Sequence, residues 1–390
     1  MSRILIAGAG QCGLQLALGL QAGGADVTLV SARSAAELTT IMSTQVLFGP
    51  TLALERAAGL DFWQHTAPPI AGLEFCMVAG GQRVAGWSGD LDIPAMSVDQ
   101  RTKFAAWQGL FLERGGDLRI QPLDPSVVDD LAPGYDLVVI ATDRDGLAGM
   151  FRTRQRGTPR RSLAAVYLSG AVRAPRGRFT LLPGLGEIVE IDALSGAPGA
   201  ERPCRIVLVE AIPDGPLDAF ADITGPVERL DRMLALLRDH LPEDRYPDVE
   251  LTDPGATLVG KISPALRDPV ALLPSGRPVL GAGDAIAKID PLGAQGANSA
   301  AHCADSYLRK IIACTGPFDQ DWMRATGTAW LDTVAAPAVA WTEAILEPPA
   351  HLRGLLAAAQ ANPTLAHTLT NLFAQPARVP EVLAEYPLTA

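Results

Sequence analysis

The sequence predicts an α/β protein with a Rossmann-like domain, an inserted antiparallel β-sheet domain and a helical C-terminus. Three observations predict this fold class. A glycine-rich turn joins an apolar strand to a helix within residues 3–33, three apolar runs separated by Gly/Pro turns fill 163–212, and the pattern is almost wholly helical after 298. A chain of 390 residues is too long for one simple core, so a second domain is expected.

The composition limits the kinds of partner that we expect. Hydrophobic residues make up 48% of the chain and charged residues 19%, as in globular proteins. The formal net charge of −11 argues against a nucleic-acid partner. The apolar stretch at the start is too short and too glycine-rich for a membrane span or a secretory signal, so we expect a cytoplasmic protein without membrane association. The cysteines show neither a CxxC pair nor metal-ligand spacing, which favours reduced thiols and no metal site: Cys12, Cys76, Cys204, Cys303 and Cys314.

The N-terminus carries the strongest motif. Gly8, Gly10 and Gly13 have G-x-G-x-x-G spacing between a strand at Arg3–Ala7 and a helix, and a second strand is expected at 27–30. In this βαβ context the glycines allow a tight turn, close approach of a pyrophosphate and helix–strand packing, while the helix N-terminus offers free N–H groups. We therefore predict a dinucleotide-binding loop that includes Gln11 and Cys12.

One part of that motif is missing. The second strand usually ends in an acid that binds the ribose hydroxyls, but here it ends Ser31-Ala32-Arg33. Either Ser31 and backbone groups bind the ribose, or the adenosine end is held loosely. Arg33 could stack on adenine, contact phosphate or be a solvated loop cation. We count Ser31 and Arg33 among the candidate cofactor-binding residues.

The remaining pattern divides the chain into three parts. Strands are expected at 72–79, 82–87, 135–143 and 277–285, and helices at 98–114 and 226–242. The predicted nucleotide-binding domain is discontinuous and comprises 1–70, 96–160 and 265–325. The inserted substrate domain comprises 71–95 and 161–264, and C-terminal helices occupy 326–390.

A second glycine-rich segment lies at 281–300. Asp284 ends a strand next to Gly283, where a carboxylate can accept hydrogen bonds from a polyol chain. A Pro/Gly loop then leads into a helix, whose N–H groups and partial positive charge suit the pyrimidine edge of a flavin. The predicted flavin-binding residues in this segment are Gly283, Asp284, Pro291, Gly293, Ala294, Gln295, Gly296, Ala297 and Asn298.

These motifs together resemble those of flavoprotein monooxygenases with a hydroxybenzoate-hydroxylase-like fold. The resemblance is closest to the oxygenase component of two-component styrene and indole monooxygenases, and it is collinear over nearly the whole chain. It rests on G-x-G-x-x-G at 8–13, "SGDLDIPAMSVDQR" at 88–101, "ERGGDLRI" at 113–120, "GLGEIVEIDALSG" at 184–196, "GD" at 283–284, "DPLGAQGAN" at 290–298 and "WTEAILEPPAHL" at 341–352.

The resemblance implies an activity and its partners. A separate NADH-dependent flavin reductase would supply reduced FAD, which would react with O2 to a C4a-(hydro)peroxyflavin and epoxidise styrene, indole or a similar small aromatic alkene. By position, Gln45 would be the polar group near the reacting flavin carbon. Val46, Leu47 and Phe75 would line the substrate pocket. A homodimer is compatible with this interpretation.

The sequence has three rival interpretations, one of which lacks its motif. The stretch "ATDRDGLAGMFR" partly matches the D-G-x-x-S-x-x-R motif of single-component hydroxylases that bind NAD(P)H, through Asp145, Gly146 and Arg152, but Gly149 replaces the serine. A flavin-dependent halogenase would need a W-x-W-x-I-P stretch, which the sequence lacks. A non-catalytic flavin-binding protein is the third alternative.

Overall fold

A computed structural model describes residues 2–144, 146–157, 161–170, 175–242, 246 and 248–386. The helices are α1 Gln11–Ala22, α2 Gly49–Ala57, α3 Gln100–Glu113, α4 Pro125–Leu131, α5 Pro226–His240, α6 Gln295–Ile312, α7 Gln320–Trp330, α8 Ala336–Leu346, α9 Ala350–Ala358, α10 Pro363–Asn371 and α11 Val379–Glu385. The strands are β1 Arg3–Ala7, β2 Asp26–Ser31, β3 Pro69–Ala79, β4 Gln82–Met96, β5 Asp117–Ile120, β6 Leu137–Ile140, β7 Thr153–Arg156, β8 Arg161–Ser169, β9 Arg176–Leu182, β10 Gly186–Ser195, β11 Arg202–Ala211, β12 Glu250–Leu251, β13 Thr257–Ile262, β14 Ala265–Arg267, β15 Val270–Leu272, β16 Pro278–Gly281 and β17 Ala287–Lys288.

A six-stranded sheet contains the N-terminal motif. Its order is β15-β16-β6-β1-β2-β5, and every pair is parallel except β15 with β16. β1 and β6 are buried along nearly their whole length, because helices cover both faces of such a sheet. The glycine turn after β1 and the turn after β16 therefore open at the same edge of the sheet, where ligands of doubly-wound folds bind.

A larger sheet is built from the inserted segments. Its order is β12-β8-β11-β10-β9-β3-β4, with β13 also paired to β8. The prediction of an antiparallel sheet is wrong at one place, because β3 runs parallel to β9. That pairing joins strands from two separate segments of the chain. One face of this sheet packs on α5, and the other packs on the C-terminal helices and the 41–48 segment.

The predicted elements differ from the structure mainly in their ends. The strand expected at 82–87 extends through β4 to Met96, and the second of the three apolar runs predicted within 163–212 is a hairpin of β9 and β10. A three-stranded sheet of β17, β14 and β7 was not predicted, since its strands are only two to four residues long. The assignment of residues to domains stays a prediction. Two of its boundaries, residues 160 and 390, lie outside the described residues. Among the described residues, no helix is long and apolar enough to span a membrane.

Candidate active site

The turn after β1 has the geometry that its glycines predict. Gly8 has φ of +118°, and a Cβ there would lie 2.7 Å from the carbonyl oxygen of Ala141. A Cβ on Gly13 would lie 1.8 Å from the carbonyl oxygen of Gly8. A Cβ on Gly10 would meet no atom within 4 Å. Two of the glycines are therefore required by the fold, whereas Gly10 borders open space at the uncapped N-terminus of α1.

The side chains of Gln11 and Cys12 point away from that space. Gln11 is buried and donates hydrogen bonds to Glu55 and Gln15, each at 2.9 Å. Cys12 is buried beside Gly283, whose Cβ would lie 3.1 Å from the Cys12 Cβ. Only the backbone N–H groups of Gln11 and Cys12 are thus left to hold a diphosphate.

Ser31 does not offer its hydroxyl to a ribose. The hydroxyl donates to the carbonyl oxygen of Arg33 at 2.6 Å and accepts from the Arg33 N–H at 3.2 Å. Gln108 also donates to the Arg33 carbonyl at 3.4 Å. The Arg33 side chain is half-buried, and burial together with the nearby charge of Arg144 lowers its pKa. Ser31 therefore positions Arg33, which with Arg144 brings positive charge to the carboxyl ends of β2 and β6.

Asp284 lies in a short turn after β16, in a group of charged side chains. The residue is exposed, but the surrounding protein limits hydration of the carboxylate, and together with the charge of Asp143 this raises its pKa to about 6. Lys288 and Arg267 act in the opposite direction. Lys288 contacts Asp143 at 2.6 Å, and Arg267 donates to the carbonyl oxygen of Ala285 at 3.2 Å. The Asp284 carboxylate is thus available to accept hydrogen bonds from a ligand.

The second glycine loop ends at the N-terminus of α6. Pro291–Gly293 forms a short 3-10 turn, and Ala294 has φ of +54° before the helix begins. A Cβ on Gly293 would lie 2.3 Å from the Thr342 hydroxyl on α8, so this glycine allows close packing. A Cβ on Gly296 would meet no atom within 4 Å. The first turn of α6 has no side-chain cap, so N–H groups there are free for a ligand.

The polar side chains of this loop form hydrogen bonds with other protein groups and do not point into open space. Asn298 accepts from the Phe48 N–H at 3.0 Å and from the Thr51 hydroxyl at 2.7 Å, and it donates to Val46 and Ala294 carbonyls at 2.7 Å. Gln295 donates to the carbonyl oxygens of Gly293 and Phe373 at 2.7 and 2.8 Å. Both residues therefore position the loop, and the flavin contacts predicted for them would come from the backbone.

Asn298 brings the segment containing Gln45 next to the loop. Gln45 is buried, and its amide donates to the carbonyl oxygen of Val98 at 2.7 Å. Its Oε1 is buried and has no hydrogen-bond partner among the described residues. A buried amide oxygen of this kind is able to accept a hydrogen bond from a bound ligand.

The predicted pocket residues fall into two clusters. Val46 and Phe75 share a cluster with Leu292, which lies in the loop 291–294 before α6, the flavin-side loop of the candidate site. Phe75 contacts Trp87, Phe179 and Phe373, with ring centroids 4.3, 5.1 and 5.3 Å apart. Leu47, in contrast, is 1% exposed and packs with Leu52, Trp63 and Met96. A pocket on the aromatic side would therefore include Val46 and Phe75 and exclude the Leu47 side chain.

The candidate site combines open space with polar groups that suit a flavin. Open space borders Gly10 and Gly296, each at an uncapped helix N-terminus. The Asp284 carboxylate lies at the same edge of the sheet, and the Gln45 oxygen lacks a donor. These groups match an elongated ligand. The helix N-terminus at Gly10 suits a diphosphate, the Asp284 carboxylate suits a polyol chain, and the Gln45 oxygen and the second helix N-terminus suit a ring that carries N–H groups. The residues present fit FAD.

Several contributing residues could not be found from sequence patterns. Lys288 and Asp143 meet although they lie 145 positions apart, and Asn371 donates to Asp90 across 281 positions. Glu55 and Lys103 form a buried ion pair behind α1. The single-component motif is only partly described: Arg152 is exposed and pairs with Asp268, while Asp145 lies outside the described residues.

The sequence is similar to that of styrene monooxygenases. Residues 144–245 match the family model described as "Styrene monooxygenase A putative substrate binding domain". The chain is 28% identical over 325 residues to styrene monooxygenase StyA of Pseudomonas fluorescens, covering 80% of this chain and 77% of the relative. Styrene monooxygenase StyA of Pseudomonas sp matches with the same identity and coverage.

Solved structures agree on the fold. A triple mutant of the flavin-dependent brominase Bmp2 superposes with a TM-score of 0.68 over 99% of each chain, at 15% identity. The p-nitrophenol 4-monooxygenase PnpA of Pseudomonas putida DLL-E4 superposes with a TM-score of 0.62, at 16% identity, over 97% of this chain and 99% of PnpA. At such identities these structures establish the fold alone, and they confirm the predicted fold class.

Fold, site and relatives together define a flavin-dependent monooxygenase, an enzyme whose cofactor is a flavin and whose oxidant is O2. More particularly, the matched family model and the curated relatives support an oxygenase of the styrene monooxygenase type. The resemblance seen in the motifs is thereby confirmed.

Proposed function

We propose that this chain is the oxygenase component of a two-component system. A separate NADH-dependent flavin reductase would supply reduced FAD, and the oxygenase would epoxidise styrene, indole or a similar aromatic alkene. The reaction balances as alkene, O2 and reduced FAD giving epoxide, water and oxidised FAD. One oxygen atom forms two new C–O bonds at the former double bond, and the other leaves as water.

The observation that carries this proposal is the link between Asn298 and Val46. It brings the aromatic cluster of Phe75 next to the loop that would hold the flavin ring. Such an apolar, water-poor surface suits a small aromatic substrate without charged groups. The transfer needs no base acting on the substrate, so the protein's part is to bind, orient and exclude water.

Separate observations support the proposal that FAD is a co-substrate, which binds and dissociates in each catalytic cycle. The acid that usually binds the ribose is absent, and the Ser31 hydroxyl is engaged by Arg33. The ends of the site proposed for the diphosphate and the ring have uncapped helix N-termini, whereas the charged residues described near the proposed adenosine end are Arg33, Arg144 and Glu37. We therefore expect exchangeable FAD.

The experiment compares three electron supplies with styrene and with indole as substrates. The first is NADH with FAD, the second adds a flavin reductase, and the third is photoreduced FAD mixed with aerated buffer. We expect epoxide only in the second and third, with one atom of ¹⁸O₂ incorporated. Gly10→Ala, which should fold but bind FAD poorly, is the matched control.

Each alternative has a distinct outcome. Product with NADH and FAD alone would favour a single-component hydroxylase and overturn the two-component proposal. If photoreduced FAD reoxidises as fast as in buffer and neither substrate yields product, a non-catalytic flavin-binding protein is favoured.

A further inference from the structure

A cavity of about 230 Å³ lies between the large sheet and the segment that follows β11. Its floor is formed by β8 and β13, through Ser162, Ala164 and Val259, and Leu217 and Phe220 form its roof. Apolar cavities of about 150 Å³ bind benzene, so this volume is sufficient for a substituted aromatic ring. The cavity is partly open to solvent, so a ligand can enter it while the sheet stays folded.

The sheet separates this cavity from the candidate flavin site. Successive side chains of a strand point to opposite faces of the sheet. Ala164, Leu217 and Phe220 belong to the hydrophobic cluster on the α5 face. Ala165, the next residue of β8, belongs to the aromatic cluster that includes Phe75 on the opposite face. A ligand in the cavity would thus lie on the side of the sheet away from the flavin.

The roof of the cavity is held in place by α5. Arg229 donates to the carbonyl oxygen of Ile223 at 3.0 Å. Arg232 donates to the carbonyl oxygen of Ala219, also at 3.0 Å. Arg229 further donates to the Thr257 hydroxyl on β13 at 3.0 Å, so the helix joins the roof to the floor. The walls are therefore fixed by hydrogen bonds, as is usual for preformed ligand sites.

Two donor groups lie together on the floor of the cavity. Ser162 and Lys261 are directly paired across β8 and β13, so their side chains are neighbours on the same face. Ser162 is 6% exposed, and its hydroxyl has no hydrogen-bond partner among the described residues. Lys261 is exposed and makes no ion pair within the described part of the chain, whereas Lys103 and Lys288 each pair with a carboxylate. A hydroxyl and an ammonium group are thus able to donate to one acceptor.

We propose that this cavity is a binding site for a small monocarboxylate with an apolar body. The Ser162 hydroxyl and the Lys261 ammonium group both donate to the carboxylate, and charge-assisted hydrogen bonds of this kind are strong. The apolar body packs against Leu217, Phe220 and Val259. No group of the candidate flavin site takes part, so the inference does not rest on the proposed function.

Asp218 limits the charge of the ligand. It lines the cavity from the roof, is half-buried, and accepts from the Asp214 N–H at 3.0 Å. The donors lie on the floor, so the carboxylate binds there, and a second negative charge would be repelled by Asp218. A cationic ligand would instead be repelled by Lys261. A monocarboxylate therefore fits better than a dicarboxylate or an amine.

The full-length protein without FAD is titrated with para-fluorobenzoate, and binding is followed through the fluorine NMR signal of the ligand. We expect saturable binding with a Kd on the order of 1 mM, as for a ligand of few atoms. Lys261→Met keeps an apolar stem but removes the charge, and should raise the Kd at least about tenfold. Ser162→Ala should raise it about threefold. Lys310→Met is the matched control, because it removes the same charge from the last turn of α6 and should leave the Kd unchanged.

A substitution that fills the cavity tests where the ligand binds. Ala221 lines the cavity and is exposed, so Ala221→Trp should fold with an unchanged Tm and abolish binding. Unchanged affinity in Ala221→Trp, or equal affinity in Lys261→Met and Lys310→Met, would overturn the proposal. Tighter binding of para-fluorobenzylamine than of para-fluorobenzoate would overturn it as well, and so would the absence of saturable binding to the wild type.

Titration with FAD distinguishes this cavity from the candidate flavin site. The Kd of Lys261→Met for FAD should equal that of the wild type, and saturating para-fluorobenzoate should leave bound FAD in place. Displacement of FAD by para-fluorobenzoate would put the ligand in the flavin site and overturn the proposal of a separate cavity. If the wild type binds para-fluorobenzoate with the expected variant effects but does not bind FAD, the proposed function fails and the cavity site stands.

Discussion

The side-chain amide of Gln295 donates a hydrogen bond to the backbone carbonyl of Phe373 at 2.8 Å. The same amide donates to the carbonyl of Gly293 at 2.7 Å. One buried side chain therefore joins the flavin-side loop to the turn after α10. The helical C-terminus is consequently part of the site's support, since the Phe373 ring also packs 5.3 Å from Phe75.

Replacing Gln295 tests that support. Gln295→Met keeps the length of the side chain but leaves two buried carbonyls without their donor, which should cost about 2 kcal/mol or more in the free energy of unfolding. Urea unfolding measures this cost. The control is Gln360→Met at an exposed position, where a change within about 0.5 kcal/mol is expected. Equal effects at the two positions would show that Gln295 does not support the loop.

Substitutions at Gly10 and Gly13 should separate cofactor binding from folding. Gly10→Ala adds a methyl group toward open space, so stability should stay within about 0.5 kcal/mol. The methyl group would occupy space needed by a diphosphate, and FAD affinity should fall on the order of tenfold, about 1.4 kcal/mol. Gly13→Ala would clash with the Gly8 carbonyl and should cost about 3 kcal/mol or prevent folding.

Thermal unfolding and FAD fluorescence titration measure the two effects. Unchanged affinity in a folded Gly10→Ala protein would mean that the diphosphate does not lie at this turn.

We expect Asp284 to make the affinity for FAD depend on pH. Because its pKa is raised to about 6, the carboxylate becomes protonated below that pH and accepts hydrogen bonds from ligand hydroxyls less well. FAD affinity of the wild type should therefore fall as pH decreases from 7 to 5. Asp284→Asn should bind FAD more weakly at pH 7 and show a flat profile, measured by fluorescence titration.

Asp143→Asn is the companion variant for Asp284. The negative charge of Asp143 raises the pKa of Asp284, so its removal should move the midpoint of the profile to lower pH. A profile in Asp284→Asn that matches the wild type would assign the titration to another group.

Much of the fold followed from sequence patterns, because those patterns report local structure and burial. β1 was predicted with its observed ends, and the turn at Gly8 has the positive φ that its glycine indicated. The site side chains were harder to predict. Asn298 looked like a ligand-binding residue, but its four hydrogen bonds go to protein groups, including Val46 more than 200 positions away. Sequence spacing gives no information on such long-range partners.

A buried ion pair lies behind α1. Lys103 Nζ lies 2.5 Å from Glu55, and both side chains are 1% exposed. Glu55 also accepts from Gln11, so the pair supports the start of α1. Burial raises the pKa of Glu55 and lowers that of Lys103. Removing one partner leaves an unpaired buried charge, so Lys103→Met and Glu55→Gln should each lose about 3–5 kcal/mol.

The two single variants should respond to pH in opposite directions. In Lys103→Met the unpaired Glu55 has a raised pKa, so the folded state binds more protons and stability falls as pH rises from about 4.3 toward that pKa. In Glu55→Gln the unpaired Lys103 has a lowered pKa, so the unfolded state binds more protons and stability rises with pH up to about 10.4. The double variant should recover most of the loss and have neither slope. Urea unfolding between pH 5 and 9 measures all three, and slopes of the same sign in the single variants would show that the pair is not buried as an ion pair.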